Sequence, residues 1–380
     1  MKRDTRLIHS GRPSREADLV TPPVRRASTV IAPTTAELYN PTTPRRHYGR
    51  GGLSPNDELR SAIAGLYEAD HVALAPSGLA SVILAIRTAI EGPGEALISD
   101  STYGPVRKFC DEELPRLGVT PRYYDPRIGA EIAGLLSDQT RLVHLESPGS
   151  LTFEVQDAPA IAQAARKAGA KTTIDDTWTA GLLMNPLELG VDFAAQALTK
   201  YVGGHSDFLM GAVAARGGAA DALKNRERLY GGHVSPDDAF LALRGFRTLA
   251  LRLEHSGASG LALAEKLAGH PKIARVLHPA LPASPDHALY IRDITGPAGC
   301  FSVVLKNIDA RGGETFAEAL KLFGIGFSWG GFESLVLPCD RQIRRTNPPW
   351  KAEGALVRFS VGLEDVEDLW ADIEQALEQV

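Results

Sequence analysis

A lysine and an aspartate in this chain have the types and settings that carbanion chemistry on an amino acid requires. Lys200 follows a threonine and closely precedes two glycines, and Asp175 ends an apolar run 25 residues upstream. A lysine amine forms a Schiff base with an aldehyde cofactor. A carboxylate keeps a pyridine nitrogen protonated, so that the ring withdraws electrons from a carbanion. Most lysines are solvated and strand-end aspartates often cap helices, but the two together predict pyridoxal 5'-phosphate (PLP) as the cofactor.

Three further motifs supply groups that such a cofactor and an amino-acid substrate need, and each has an ordinary structural alternative. Ser77-Gly78 is a strand-to-helix turn whose backbone N–H groups suit a phosphate, although a simple helix cap also explains it. Thr199 is a further candidate phosphate donor. Tyr103 follows a strand, where it stacks on a pyridine ring or packs as an ordinary aromatic residue. Arg358 lies inside an apolar strand, where it needs a substrate carboxylate or an internal acidic partner.

A phenol and a guanidinium, Tyr48 and Arg50, stand on a glycine-rich segment that precedes the first strand–helix unit. Both groups bind phosphate. Their position predicts that they reach a cleft on another subunit; the alternative is a solvated arm with no ligand. We therefore predict that residues 1–55, rich in Arg, Pro and Thr, form an N-terminal arm that contacts a neighbouring subunit.

Strands and helices alternate through the part of the chain that must position these groups. Apolar runs predict strands at 72–75, 96–98, 119–124, 142–145 and 171–174, and amphipathic runs predict helices at 78–90, 106–117, 130–136 and 158–168. This alternation implies an α/β fold with a mostly parallel central sheet covered on both faces. Ser77, Tyr103 and Asp175 then fall at the carboxyl ends of strands, where such sheets bind ligands.

The pattern changes near residue 236. A long helical stretch at 239–267 precedes strands at 301–305, 334–337 and 356–361, with helices near 316–323 and from Val366 to Leu377. We predict a large PLP-binding α/β domain over residues 56–235. A smaller α+β domain with a partly antiparallel sheet would follow over residues 236–380.

Composition indicates an ordinary globular enzyme. The 380 residues are 44% hydrophobic and 23% charged, with a formal net charge of −5, which gives no reason to expect nucleic-acid binding. The arginine pairs at 45–46 and 344–345 are short and indicate solvated faces or anion contacts. The polar start and the absence of an 18-residue apolar window predict neither a signal peptide nor a membrane span.

The three cysteines, Cys110, Cys300 and Cys339, are far apart and show no CxxC spacing. This disfavours a disulfide framework or a structural zinc site and predicts a reducing compartment, the cytoplasm. For Cys110 and Cys300, a buried small hydrophobic residue is the simplest interpretation.

Together these motifs resemble those of the γ-family of PLP enzymes of cysteine and methionine metabolism, which have the aspartate-aminotransferase-like fold (PLP fold type I). The resemblance spans nearly the whole chain, from Thr5 to Asp365. Within the family, the chain is similar to the bacterial cystathionine β-lyases in four motifs: Glu146-Ser147-Pro148-Gly149-Ser150, residues 199–207, His278-Pro279-Ala280-Leu281-Pro282 and Ser328-Trp329-Gly330-Gly331.

The resemblance implies a role for each candidate residue. Lys200 would hold the cofactor and shuttle protons, Asp175 would pair with the pyridine nitrogen, and Tyr103 would stack on the ring. The substrate carboxylate would bind Arg358 and Ser328. The phosphate would bind Gly78, Leu79 and Thr199, together with Tyr48 and Arg50 of a neighbouring subunit, where Tyr48 would also contact the substrate. The resemblance also implies a homotetramer built from two catalytic dimers.

Three positions depart from the family pattern. Asp176 stands where asparagine is expected, which adds an acidic group beside the cofactor. Ala197 replaces a serine and removes one phosphate hydroxyl. Arg107-Lys108 occupies a region where the bacterial β-lyases carry an acid, which bears on recognition of the far end of the substrate.

The favoured function is cleavage of L-cystathionine or a related cysteine S-conjugate into a thiol (homocysteine), pyruvate and ammonia. Trp329 supports the β-lyase assignment, because the γ-acting relatives usually have leucine there and a bulky indole restricts the substrate side chain. The alternative for Trp329 is simple packing. The alternative functions are a γ-lyase or γ-synthase of the same family, a lyase for another thioether, and a PLP-binding regulatory protein without catalysis.

Overall fold

The N-terminal segment contributes two short helices that precede the main sheet. The structure, a computed structural model, describes residues 2–11, 19–40, 48–351 and 353–380. Helices α1 (Arg3–His9) and α2 (Thr35–Tyr39) belong to this segment, and a 3₁₀ turn covers Gly49–Gly51. Leu7 of α1 is buried in the main core. The arginine pair at 45–46 and His47 lie outside the described residues.

A seven-stranded sheet dominates the first half of the chain. Its strands are β1 (His71–Ala75), β2 (Gly94–Ser99), β3 (Val119–Tyr124), β4 (Thr140–Glu146), β5 (Lys171–Asp175), β6 (Phe193–Ala197) and β7 (Gly211–Ala215). Their order is β1-β7-β6-β5-β4-β2-β3, and every pairing is parallel except those of β7 with β1 and β6. The predicted mostly parallel sheet is therefore confirmed.

Helices pack on both faces of this sheet. They are α3 (Asn56–Tyr67), α4 (Gly78–Ala89), α5 (Gly104–Glu113), α6 (Ala158–Lys167) and α7 (Gly217–Tyr230). Successive strand residues point to opposite faces, so Leu97 lies in one core with Ile63 of α3, and Ile98 lies in the other with Val82 of α4. A sheet buried on both faces needs continuous apolar strands, which explains why the runs showed no alternation.

A five-stranded sheet of mixed direction follows. It comprises β8 (Ile273–Leu277), β9 (Cys300–Lys306), β10 (Gly324–Ile325), β11 (Leu335–Pro338) and β12 (Gly354–Ser360), in the order β10-β11-β12-β9-β8. Only β10 and β11 pair in parallel. The helices of this half are α8 (Pro236–Phe246), α9 (Leu249–Ala268), α10 (His287–Asp293), α11 (Ala310–Ala319) and α12 (Val366–Leu377). No helix in the described ranges is long and apolar enough to cross a membrane.

Three predicted elements were wrong in their type or bounds. The stretch at 239–267 is two helices, because the chain turns at Arg247 and Thr248 while the apolar periodicity runs on. The segment at 130–136 is a 3₁₀ helix over Gly129–Gly134. The helix predicted near 316–323 instead begins after Asp309, whose carboxylate accepts the Gly312 N–H, and ends at Ala319.

Candidate active site

A cavity of about 390 Å³ opens where the parallel strands of the main sheet end and the second sheet approaches. Nine of the eleven predicted site residues line it, and two, Tyr48 and Arg50, do not. The nine come from both halves of the chain: Gly78, Leu79, Tyr103, Asp175, Thr199, Lys200, Ser328, Trp329 and Arg358.

Lys200 stands on a tight turn between β6 and β7. The Gly203 N–H donates to the Leu198 carbonyl (2.8 Å). Arg252 of α9 reaches this turn and donates to the carbonyls of Tyr201 (2.7 Å) and Val202 (3.2 Å). The guanidinium thereby fixes the backbone around the lysine from a helix about fifty residues later in the chain, a role that the sequence analysis did not predict.

The amine of Lys200 is held in a setting that favours its neutral form. Its Nζ donates to the Ser328 hydroxyl (2.7 Å) and lies 5.6 Å from the centroid of the Trp329 ring. Burial, reinforced by the positive charge of Arg358, lowers the pKa of Lys200 to about 8. A substantial neutral fraction near neutral pH makes the amine a nucleophile and a proton acceptor.

Asp175 ends β5 directly beside Glu146 at the end of β4. The backbone N–H (3.0 Å) and hydroxyl (2.5 Å) of Thr177 donate to the same oxygen of Asp175 and fix the carboxylate. Burial raises the pKa of Asp175, and the hydrogen bonds from Thr177 oppose this. A partly buried acid whose pKa is raised is stabilised in its ionised form by a cationic partner, and a protonated pyridine nitrogen is such a partner.

Tyr103 immediately precedes α5 and its side chain remains 45% exposed, so it is not an ordinary core aromatic. Its backbone N–H donates to Glu146 (2.6 Å), which anchors the residue at the sheet edge. Burial, together with the charges of Glu146 and Asp175, raises the pKa of the Tyr103 phenol. The ring is thus a neutral, partly open surface on the wall of the cavity.

The N-terminus of α4 forms a site suited to a phosphate. The Ser77 hydroxyl accepts the Ala80 N–H (3.1 Å), which leaves the N–H groups of Gly78 and Leu79 without partners inside the helix. A side-chain carbon on Gly78 would lie 2.3 Å from Cβ of Ala197, so this turn requires glycine. Ala197, which replaces a serine of the family pattern, therefore lies directly against this turn.

Thr199 lines the cavity and also makes two hydrogen bonds with the backbone of Met210. Its hydroxyl donates to the Met210 carbonyl (3.1 Å) and accepts the Met210 N–H (2.9 Å), which ties the two ends of the lysine turn together. The hydroxyl proton is therefore engaged within the chain. A phosphate role for Thr199 stays a prediction.

Arg358 of β12 is buried and carries unused hydrogen-bonding capacity. Its Nη2 donates to the Ser328 carbonyl (2.7 Å), while its Nε has no partner in the described part of the chain. No ion pair within the described ranges includes Arg358. The structure therefore does not support the alternative that Arg358 pairs with an internal acid. A buried guanidinium without an acid suits a ligand carboxylate.

Ser328 connects the two cationic groups. Its hydroxyl accepts from Lys200 and its carbonyl accepts from Arg358. The residue has a φ of 81°, a left-handed backbone conformation that costs energy for any residue but glycine. In this conformation the hydroxyl of Ser328 accepts from Lys200 while its carbonyl accepts from Arg358.

Trp329 both packs and lines the cavity. Its ring makes an edge-to-face contact with Tyr201 at 5.3 Å between centroids, and it rests against the main core. The other side of the residue borders the cavity. The two interpretations of Trp329 are therefore compatible.

Tyr48 and Arg50 lie away from this cavity on the same chain. Both are exposed, and they border a separate cleft together with Arg26 and Asp237. The Arg50 guanidinium lies 5.7 Å from the centroid of the Tyr48 ring. Within one chain these residues have no part in the site around Lys200.

Asp176 points away from the cavity, so the interpretation that it adds a charge beside the cofactor was wrong. Its side chain is fully buried and accepts hydrogen bonds from the hydroxyls of Tyr67 (2.7 Å) and Thr179. Gln196 donates to the same Tyr67 oxygen (2.8 Å). Neighbouring residues at a strand end face opposite sides of a sheet, which separates Asp176 from Asp175.

We expect Asp176→Asn to preserve activity and to reduce the loss of stability that occurs as pH rises from the acidic range toward 8. Burial raises the pKa of Asp176 to about 8 from the ordinary 3.8. The folded state therefore keeps a proton that the unfolded state releases, and stability falls as pH rises toward 8, by roughly 1.4 kcal/mol per pH unit. Asparagine has no proton to lose.

The measurement for Asp176 is urea unfolding of the enzyme with its cofactor at pH 6 and pH 8. The Asn variant should gain roughly 2 kcal/mol relative to the unsubstituted protein between these pH values. An identical pH dependence in the two proteins would show that Asp176 is ionised in the fold.

Arg107, Lys108 and Arg345 are not on the cavity wall. Arg107 is buried and paired with Asp100 (2.7 Å), and Lys108 points to solvent near Glu112. Arg345 is also buried and paired with Glu154, so the prediction of a solvated face or an anion contact was wrong for this residue. Both guanidinium groups pair with an acid of the same chain: Asp100 lies shortly before Arg107 in the sequence, whereas Glu154 is far from Arg345.

Several residues of the site were not singled out in the sequence as having a role. Glu146 anchors Tyr103, Thr177 fixes Asp175, and Arg252 fixes the lysine turn. Cys300 and Gln342 also line the cavity. Only Glu146 carried a signal, as the acid that ends a predicted strand; the others depend on contacts across the fold.

Nearly the whole chain, residues 4–378, matches the family described as Cys/Met metabolism PLP-dependent enzyme. The chain belongs to this family. Its cofactor is therefore PLP, and the chain is an enzyme of the Cys/Met metabolism type, as its motifs predicted.

Individual relatives agree with the family. The chain is 38% identical to cystathionine beta-lyase MetC of Escherichia coli (strain K12), covering 100% of this chain and 99% of the relative. It is 39% identical to the cystathionine beta-lyase of Bordetella avium, covering 99% and 97%. Among solved structures, cystathionine gamma-lyase from Lactobacillus plantarum complexed with L-serine superimposes with a TM-score of 0.91 at 26% identity, covering 100% and 99%. The predicted PLP fold type I is confirmed.

The residues present fit PLP on structural grounds of their own. The first turn of α4 offers two N–H groups to a phosphate, and Asp175 on the cavity wall offers a carboxylate to a ring nitrogen. Lys200 has a pKa low enough to react with an aldehyde. The unpartnered Nε of Arg358 remains for the substrate.

Proposed function

We propose that this enzyme is a carbon–sulfur β-lyase that cleaves L-cystathionine or a related cysteine S-conjugate into a thiol, pyruvate and ammonia. The single observation that carries the proposal is the double contact at Ser328. Lys200 Nζ bonds its hydroxyl and Arg358 Nη2 bonds its carbonyl, both at 2.7 Å. A proton-accepting amine is thereby held next to a guanidinium suited to an α-carboxylate.

The residues divide the work of the reaction as follows. Arg358 binds the substrate carboxylate and so brings Cα near Lys200, whose amine removes the Cα proton. Held by Lys200, Asp175 and the first turn of α4, PLP would supply an electron sink for the pair left on Cα. That pair forms a double bond between Cα and Cβ as the Cβ–S bond breaks, the sulfur leaves with the electrons of the broken bond, and the proton held on Lys200 neutralises it as a thiol. Addition of water to the three-carbon fragment gives pyruvate and ammonia.

A panel of amino-acid thioethers tests this function. Holoenzyme should release thiol, ammonia and pyruvate in equal amounts from L-cysteine thioethers. A cofactor-binding regulatory protein would show the absorption of bound PLP without turnover. Racemisation of the amino acid without release of thiol would also contradict the proposal.

Trp329 is the residue on which the choice between β- and γ-elimination depends most. An indole against the substrate limits the room for removal of a second proton at Cβ, which elimination from Cγ requires. We expect Trp329→Leu to raise the share of 2-oxobutyrate among the keto acids formed from L-cystathionine. Trp370→Leu, at an indole that packs beside α9, is the matched control and should not change the share. An unchanged share in both variants would restrict Trp329 to packing.

Tyr48 and Arg50 support a shared active site. Two exposed phosphate-binding side chains on one segment, outside their own chain's cavity, are suited to the cavity of a neighbour. We therefore propose catalytic dimers that exchange these residues, assembled into a homotetramer. The three free, buried cysteines fit a reducing compartment, and we propose a cytoplasmic location.

Loss of Arg50 should weaken PLP retention through the neighbouring subunit. One charged hydrogen bond to phosphate contributes about 1.5–3 kcal/mol, so we expect Arg50→Ala to raise the dissociation constant of PLP by roughly 10–100-fold. Tyr48→Phe should have a smaller effect in the same direction. Arg228→Ala, on the exposed end of α7, is the matched control.

Mixed oligomers make this test specific. In a dimer of Arg50→Ala and Lys200→Ala chains, a shared site places both lesions in one cavity and leaves the other cavity complete. Activity at limiting PLP should therefore reappear on co-expression. Mixed oligomers as inactive as their parents would show that each chain uses its own Arg50, and an Arg50→Ala parent with normal PLP retention would show that the site does not use Arg50.

A further inference from the structure

A buried histidine that has no part in the reaction described above lies on β4. His144 is fully buried, and it pairs with Ile98 of β2 on one side and with Thr173 of β5 on the other. An imidazole inside an apolar strand needs hydrogen-bond partners for both ring nitrogens. Both partners are present: the Thr173 hydroxyl lies 2.8 Å from Nδ1, and the Thr102 hydroxyl lies 3.2 Å from Nε2.

The hydrogen bonds continue from His144 to the wall of the cavity. The Thr102 hydroxyl donates to Oε2 of Glu146 (3.3 Å), and the same oxygen accepts the Tyr103 N–H (2.6 Å). Burial lowers the pKa of His144 to about 3, so the ring is neutral and carries one N–H. Because the Thr102 hydroxyl donates its proton to Glu146, it accepts from His144, and the ring proton therefore lies on Nε2.

The sheet places this chain of hydrogen bonds beside the acid of the cofactor site. His144 and Glu146 point to the same face of β4, because successive strand residues alternate, and the register sets Glu146 directly beside Asp175. Buried groups also hold the backbone here, since Tyr124 donates to the His144 carbonyl (3.1 Å) and Gln156 donates to the Glu146 carbonyl (2.7 Å). These contacts all form within one chain.

We infer that His144 is a positioning residue of the cofactor site. Through Thr102 it holds Glu146, and Glu146 holds the backbone of Tyr103, the residue expected to stack on the pyridine ring. The N–H of His144 leaves the Thr102 hydroxyl one direction for its own proton, so the orientation of Glu146 is set from inside the core. The inference rests on the proposed place of Tyr103 in the active site, and it applies to whichever thioether the enzyme cleaves.

The first test removes the middle of this chain without changing its size. Thr102→Val should raise the dissociation constant of PLP, measured by equilibrium dialysis of the holoenzyme, about five-fold or more, the effect of one lost hydrogen bond. It should also weaken the visible circular-dichroism band of the bound cofactor. Thr88→Val, the matched control, removes a buried hydroxyl that donates to the Leu84 carbonyl (2.7 Å) near the far end of α4, and should change neither quantity. An unchanged constant and band in Thr102→Val contradict the inference.

Two substitutions of His144 separate its hydrogen bond from its volume. Glutamine and methionine have similar shapes, but only glutamine offers an N–H toward Thr102 in place of Nε2. We expect His144→Gln to keep the dissociation constant of PLP within about two-fold and His144→Met to match Thr102→Val. Equal values in the two variants would show that His144 only fills space. If His144→Met does not fold, Thr102→Val decides alone.

A double-mutant cycle with Tyr103→Ala shows whether the effect passes through Tyr103. Tyr103→Ala should weaken PLP binding by itself, and Thr102→Val should add little in that background. Fully additive effects would contradict a route through Tyr103. Normal PLP binding in Tyr103→Ala would contradict the proposed contact of Tyr103, and this inference with it, whereas the β-lyase reaction is tested separately by its products.

Discussion

Lys200→Ala should abolish turnover and remove the visible absorption band of the lysine-bound cofactor. Among the residues that line the cavity, Lys200 is the one that carries an amine, and its hydrogen bond to Ser328 holds that amine in place. A positioned proton acceptor alone contributes about 10²–10⁴-fold. Loss of the covalent attachment adds to this. We therefore expect activity to fall at least about 1,000-fold.

The variant Lys108→Ala is the matched control for this experiment. Lys108 lies on α5, one turn after the cavity residues Tyr103 and Gly104, and its side chain is exposed. It should retain the spectrum and turnover of the unsubstituted enzyme. Near-native lyase activity in Lys200→Ala would mean that another amine accepts the proton and that the assignment of the site is wrong.

Asp175→Ala should be the next most damaging substitution. The carboxylate ends β5 in a partly buried position, where Thr177 fixes its orientation. Removing one partner of a buried ion pair costs about 3–5 kcal/mol. If the pair forms with the pyridine nitrogen, that cost corresponds to a loss in rate of roughly 10²–10⁴-fold, because a neutral ring is a poor electron sink.

Asp176 supplies a matched control for Asp175 from the adjacent position. Asp175→Asn removes the charge while it keeps the size of the side chain, and it should be nearly as inactive as Asp175→Ala. Asp176→Asn makes the same change on the opposite face of the sheet and should remain active. Similar rates in the two Asn variants would show that the charge of Asp175 is not what supports the reaction.

The chemically active residues of the site were easier to predict from the sequence than the residues that hold them in place. Lys200, Asp175 and Arg358 are chemically unusual where they stand, because a charged group inside apolar sequence needs a partner. That local conflict is visible without a structure. Arg252 and Thr177 support the site through ordinary hydrogen bonds, and nothing in their own neighbourhoods distinguishes them from other polar residues.

The strands that flank Lys200 were also missed. β6 and β7 consist largely of alanine and glycine, residues with weak strand preference. Both strands lie inside the main sheet, where small side chains allow α4 to pack closely. Gly211 shows this directly, since a side-chain carbon there would lie 2.5 Å from the Ser77 carbonyl oxygen. Tertiary packing selects these residues, and their local preference does not reveal it.

Three charged residues show what the sequence could not predict. Asp176, Arg107 and Arg345 all looked like charges exposed to the site or to solvent. Their partners are Tyr67 at the end of α3, Asp100 just after β2, and Glu154 in the loop between β4 and α6. Sequence spacing identifies which residues carry charge, but the partner of a buried charge is fixed only by the three-dimensional fold.

The keto acid formed from L-cystathionine tests the central claim most directly. Holoenzyme is incubated with L-cystathionine, and the keto acids and thiols are identified by mass spectrometry. If Lys200 removes the Cα proton and Trp329 restricts the reaction to elimination at Cβ, pyruvate and homocysteine should form in equal amounts. Predominant 2-oxobutyrate with cysteine would contradict the β-lyase assignment while leaving the PLP site intact.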